Sequence, residues 1–114
     1  MPHFSDVQKI LDSAISGWRK ANGDREPKLL QRHSTTSFGW SSKQQLLASV
    51  AKGVPLIANN AGVPTVSGSN ANLVVALGTP SGVANNGQMP DGGPFLSASD
   101  VAVITAWIDA GCPD

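Results

Sequence analysis

Charge is scarce in this chain, and neither sign is in excess. Only 14% of the 114 residues are charged, and eight Lys and Arg balance eight Asp and Glu. A surface without a net field has nothing long-range with which to gather phosphate backbones, so nucleic acid is excluded as a partner class. Cysteine is nearly absent: Cys112 stands alone. That excludes an internal disulfide framework, a cysteine-rich zinc site and haem attachment through two thioethers. Tyrosine is missing, and three Trp and three Phe make up the aromatic content. No stretch approaches the roughly 20 apolar residues a membrane span requires. The opening Met1-Pro2-His3-Phe4-Ser5-Asp6 has neither an apolar signal core nor a cleavage site. The expectation is a cytoplasmic protein without membrane association, or a mature form parted from its leader.

What is present suits a single domain over residues 1–114, since a chain of this length buries about 65% of the surface its unfolded form exposes. Ser5-Asp6-Val7-Gln8 has capping-box form, and Val7, Ile10, Leu11, Ala14, Ile15 and Trp18 recur at steps of three and four. This predicts an amphipathic helix stopped by Asn22-Gly23. Ser41-Ser42 cap a second helix with Leu46, Leu47 and Val50 on its buried stripe and Gly53 as terminator. Residues 54–68 hold Pro55, Pro64, Gly62 and Gly68, too many breakers for a sheet interior. A short third helix over 69–78 is predicted, with a strand as the rival because of Val74-Val75. Residues 79–96 form a long Gly/Pro/Asn-rich connection. The last helix is the best marked: Ser97 to Asp100 cap it, Val101, Ile104, Trp107 and Ile108 face inward, and Gly111 with Pro113 end it. No internal repeat of a convincing period is evident. The predicted class is all-α, with the two terminal helices crossing near their middles, one or two shorter helices around them, and long loops.

Several of these segments fall in a familiar order. Phe4-Ser5-Asp6-Val7-Gln8-Lys9-Ile10-Leu11 comes first, then a helix ahead of Gly53-Val54-Pro55 and a Ser-rich start to a short Leu-Val helix. Met89-Pro90 with Gly92-Gly93 follows, and the chain closes with Leu96-Ser97, Asp100-Val101, Ile104, Trp107-Ile108 and Gly111. Together they resemble a small class I cytochrome c domain. In that family a Cys-X-X-Cys-His segment binds haem covalently and a late methionine supplies the other axial ligand. The family's spacing puts Ile15, Ser16, Gly17, Trp18 and Arg19 where that segment belongs, so both cysteines and the histidine are gone. A guanidinium has no lone pair for iron. The resemblance therefore implies a haem-free fold without a cofactor, its former haem pocket refilled by Ile15, Trp18, Arg19 and Met89.

Function is sought on the surface. Trp40 lies outside any apolar stripe, beside Phe38 and behind Ser34-Thr35-Thr36-Ser37. An indole among hydroxyls suits a glycan or another small polar ligand, and Asn59, Asn60, Asn85 and Asn86 add amides that donate and accept. The competing account makes Trp40 a core residue leading the second helix. No Gly-X-Ser-X-Gly elbow, paired carboxylates or phosphate loop marks a catalytic centre. The reading is a non-enzymatic, lectin-like binding or self-association module, and the absence of net repulsion permits a homo-oligomer. Two alternatives stand beside it: an electron carrier holding haem non-covalently through Met89, with His33 or His3 as partner ligand, and a small enzyme of unknown type.

Overall fold

A computed structural model describes residues 2–23, 38–51, 53–85, 87–90 and 93–114. Helix α1 runs over Phe4–Ala21. It begins earlier than Ser5 would have it, because the carboxylate of Asp6 accepts the His3 backbone N–H at 2.8 Å. An anion in the first turn satisfies a donor and also meets the positive end of the helix dipole. The Asn-Gly stop acts as predicted, with Asn22 as the C-cap and Gly23 at φ +69°.

Helix α2 spans Lys43–Ala48, and Ser42 Oγ accepts the Gln45 N–H at 3.1 Å. It stops well short of Gly53. Val50 instead enters strand β1 (Val50–Ala51), which pairs antiparallel with β2 (Val54–Pro55). Strand β3 (Asn59–Asn60) pairs in the same manner with β4 (Val63–Pro64). These two small sheets correct the all-α prediction: the chain is mixed, helices plus two antiparallel hairpins. The breakers that argued against strands are what build them. In the second hairpin the connecting residues Ala61 and Gly62 both have positive φ, 53° and 87°. That is the twist a two-residue loop needs to return the chain on itself. Pro55 and Pro64 end their strands, and in a two-stranded sheet every strand is an edge that tolerates a missing N–H. Gly-Val-Pro at 53–55 recurs nine positions later at 62–64, a short repetition that marks both hairpins.

A 3₁₀ turn over Gly68–Asn70 leads into helix α3 (Asn72–Gly78), and helix α4 covers Ala98–Asp109. Ser97 Oγ accepts the Asp100 N–H at 3.1 Å, the cap expected from the sequence. The connection between α3 and α4 is fastened to the end of α3: Met89 N–H donates to the Ala76 carbonyl at 2.8 Å, and the Gln88 amide donates to that of Leu77 at 2.9 Å. These bonds take up carbonyls that the last turn of a helix leaves without partners.

The core joins Val7 and Leu11 of α1 to Leu46 and Leu47 of α2, Leu73, Val74 and Leu77 of α3, and Ile104, Trp107 and Ile108 of α4. Burial of each such side chain is worth about 1.5–3 kcal/mol relative to exposure. The two terminal helices do pack together, and Phe4 lies against Trp107 with ring centroids 6.0 Å apart. Trp107 is fully buried, and its indole N–H donates to the Pro113 carbonyl at 2.7 Å. A close backbone approach between elements is at Gly68. A Cβ there would fall 2.3 Å from the Thr105 carbonyl oxygen, and the Gly68 N–H donates to Asp109 Oδ1 at 2.7 Å.

Candidate functional site

The apolar stripe of α1 leaves the core halfway along. Val7 and Leu11 are buried, whereas Ala14, Ile15 and Trp18 are only half-buried. Beside that stripe, the polar residues Gln8 and Asp12, one turn apart, face the segment that leads into α2. An open cleft of about 370 Å³ lies there, lined by Gln8, Asp12, Phe38, Gly39, Trp40, Ser41 and Gln45.

The cleft is held from both helices. The Gln8 amide donates to the carbonyls of Trp40 at 3.0 Å and Ser41 at 3.3 Å. Gln45 Oε1 accepts the Ser41 N–H at 2.7 Å. Ser49, fully buried, accepts the Gly39 N–H at 3.0 Å, and its hydroxyl lies 2.8 Å from the Gln45 carbonyl and 3.1 Å from that of Gly39. Gly39 itself sits at φ +150°, and a Cβ there would crowd the Gln45 amide at 3.1 Å. Segment 38–41, with no helix or ladder of its own, thus has a fixed course. Trp40 is half-buried, neither core residue nor free flag, and its indole N–H donates to Asp12 Oδ1 at 2.8 Å. The Phe38 ring meets Trp40 edge-on, at 6.3 Å and 74°.

The structure brings Trp40 and Phe38 together and sets Asn59, Asn60 and Asn85 outside the cleft that the two rings line. Asn59 is used internally: its amide donates to the Leu47 and Ile57 carbonyls, both at 2.8 Å, while its oxygen accepts the Gly62 N–H at 3.2 Å. It fixes a hairpin turn, a role Asn commonly takes. Asn60 is exposed in β3, Asn85 is exposed at φ 61° in a turn over Val83–Asn85, and Asn86 lies outside the described residues, as does His33. None of Asn59, Asn60 and Asn85 lines the cleft. Asp12, Gln8 and Gln45, which do, gave no local signal beyond the spacing of Gln8 and Asp12 on one face of α1.

The residues expected to refill a haem pocket are divided. Met89 packs against the core from the late loop, and Gly17 of α1 faces that loop, with Pro94 3.3 Å from where a Cβ would stand. Ile15, Trp18 and Arg19 are half-buried. The indole the core closes around is Trp107, not Trp18. Among the described residues no group of three or more His, Cys, Asp or Glu is placed to hold a metal ion, and no helix is long and apolar enough to cross a membrane.

Cys112 is buried, and burial pushes its thiol from 9.0 up to about 11, with the Lys43 ammonium pulling the other way. Lys43 also pairs with Asp114, which holds that carboxyl below its ordinary value. The sign for Cys112 is clear. The thiol is easier to ionise in the unfolded chain, so the stability it contributes is present below pH 9.0 and is lost as pH rises toward about 11. Urea midpoints measured across that window should fall more steeply for the native chain than for Cys112→Ala; parallel curves would refute the assignment.

Neither a family model nor a curated protein nor a solved structure matches this chain.

Proposed function

We propose that this chain is a non-enzymatic binding module that takes a small polar ligand in the cleft between α1 and the Phe38–Ser41 segment. The observation that carries the reading is the half-exposed Trp40 indole, held by Asp12 at one edge and by a backbone that two helices clamp in place. Ligand sites pair an aromatic platform with a few placed polar groups, and a platform fixed before binding loses little entropy when the ligand arrives. A haem-free state is part of the proposal. It is supported by the packing of the Met89 side chain against the core and by the His3 ring, whose Nδ1 lies 3.0 Å from the Asp114 carbonyl oxygen. The alternative of a haem-bearing electron carrier would have to undo both.

The test is a titration of the native chain with a panel of neutral saccharides, amino acids and small amines, followed through the indole N–H resonance of Trp40. At least one class should shift that resonance saturably, and in Trp40→Ala, followed by isothermal titration calorimetry, its binding should weaken by about tenfold or more while the circular dichroism of the fold persists. A panel that leaves the resonance unmoved would overturn the proposal.

A further inference from the structure

We infer that Asn22 is a site of spontaneous deamidation in the folded chain, where its side-chain amide is converted to a carboxylate at the end of α1. The sequence holds two Asn-Gly pairs, at 22–23 and 86–87. Asparagine is thermally labile, and a following glycine makes it more so, because without a Cβ the next backbone nitrogen can close on the side chain. By motif the two pairs are alike; the fold separates them.

Ring closure needs the backbone nitrogen after the asparagine to be free. The Gly23 N–H has no acceptor among the described residues. Gly23 is exposed, stands at φ +69°, and a Cβ built on it would meet nothing within 4 Å. Asn22 itself lies at φ −116° and ψ 26°, already off the helical path. Turning about its Cα–C bond to bring the Gly23 nitrogen toward Cγ therefore breaks no ladder bond of α1. One contact must give way, the donation of the Asn22 side-chain amide to the Trp18 carbonyl at 2.8 Å. That carbonyl also accepts the Asn22 backbone N–H at 3.0 Å, so it keeps a partner.

At the second pair the attacking nitrogen is engaged. The Gly87 N–H donates to the Ser81 carbonyl at 2.8 Å, and the Gly87 carbonyl packs so closely on Gly82 that a Cβ there would overlap it. Gly87 is held on both sides, and reaction there must first open the turn.

The chemistry balances with water alone. Hydroxide takes the Gly23 amide proton, the nitrogen attacks Asn22 Cγ, and the Cγ–Nδ2 bond breaks. Nδ2 leaves as ammonia with a proton from water, which regenerates hydroxide. The cyclic imide then takes up water at either carbonyl and opens to an aspartyl or an isoaspartyl residue. The product has no donor for the Trp18 carbonyl and sets a negative charge at the negative end of the helix dipole, so the last turn of α1 loosens.

The native chain, incubated at mildly alkaline pH, is mapped by fragmentation mass spectrometry with an isoaspartate assay. Modification should accumulate at Asn22 at least about fivefold faster than at Asn86, the factor that one backbone hydrogen bond is worth. In concentrated urea, where both pairs are unfolded, the two rates should converge. Equal or faster reaction at Asn86 in the native chain, or no reaction at Asn22, overturns the inference. A preference for Asn22 that persists undiminished in urea overturns it as well, since the local sequence and not the fold would then be its source.

Discussion

Trp107→Ala should lower stability by about 3–5 kcal/mol, the range for emptying a buried large aromatic site. The ring is fully buried at the meeting of α1 and α4, with Phe4 on one side and the core residues Ile104 and Ile108 in its own helix. Its loss also leaves the Pro113 carbonyl without the indole donor now 2.7 Å away. Since small domains are stable by only about 5–15 kcal/mol, this one change could consume a third of the total or more. Trp107→Phe keeps much of the volume but removes the donor and leaves a small cavity, so it should cost less than the alanine change, about 1–3 kcal/mol. The same truncation at half-buried Trp18 should fall below the Trp107 value, because fewer of its atoms leave water. Urea unfolding followed by far-ultraviolet circular dichroism measures all three. A Trp107→Ala loss under about 1 kcal/mol would show that the core is organised around something else.

Gly68→Ala should be nearly as damaging, at about 3 kcal/mol, though it adds a single methyl group. The reason is backbone against backbone. The new Cβ would stand 2.3 Å from the Thr105 carbonyl oxygen and 2.9 Å from its carbon and from Cγ2. No rotamer relieves that, so the 3₁₀ turn must lift off α4, and the Gly68 bond to Asp109 goes with it. Gly87 is the control. It sits at φ +89° with nothing within 4 Å of a built Cβ, so Gly87→Ala meets conformational strain alone and should cost about 1 kcal/mol. Comparable unfolding midpoints for the two variants would contradict the close approach at Gly68.

The helical segments were legible because their signals are local. Ser42 and Ser97 cap where hydroxyls followed by helix formers say they should, and the Asn22-Gly23 stop holds. The face of α4 was legible as well, since Ile104, Trp107 and Ile108 are all inside. The same periodicity overreached on α1. A stripe fixes which side of a helix is apolar and not how far the packing partner extends, so Trp18 reads in sequence like a core residue and ends half-buried. The hairpins escaped notice because Pro and Gly count against strands in general, while two-residue strands at permanent edges are where they fit. Phe38 and Trp40 could be picked out as a pair; Asp12 could not. It joins them from 28 residues away, on the polar face of a helix where a carboxylate needs no explanation.

The prolines that close β2 and β4 also limit what those hairpins can do to their neighbours. An exposed two-stranded ribbon ordinarily offers its outer amides as a template on which another chain can extend a cross-β stack. Here each ladder is two residues long and one of its outer strands ends in a residue with no amide to offer. Strand addition is hindered on the β2 and β4 edges, and the short ladders limit it elsewhere; beside Pro64 the Val63 side chain is 64% exposed.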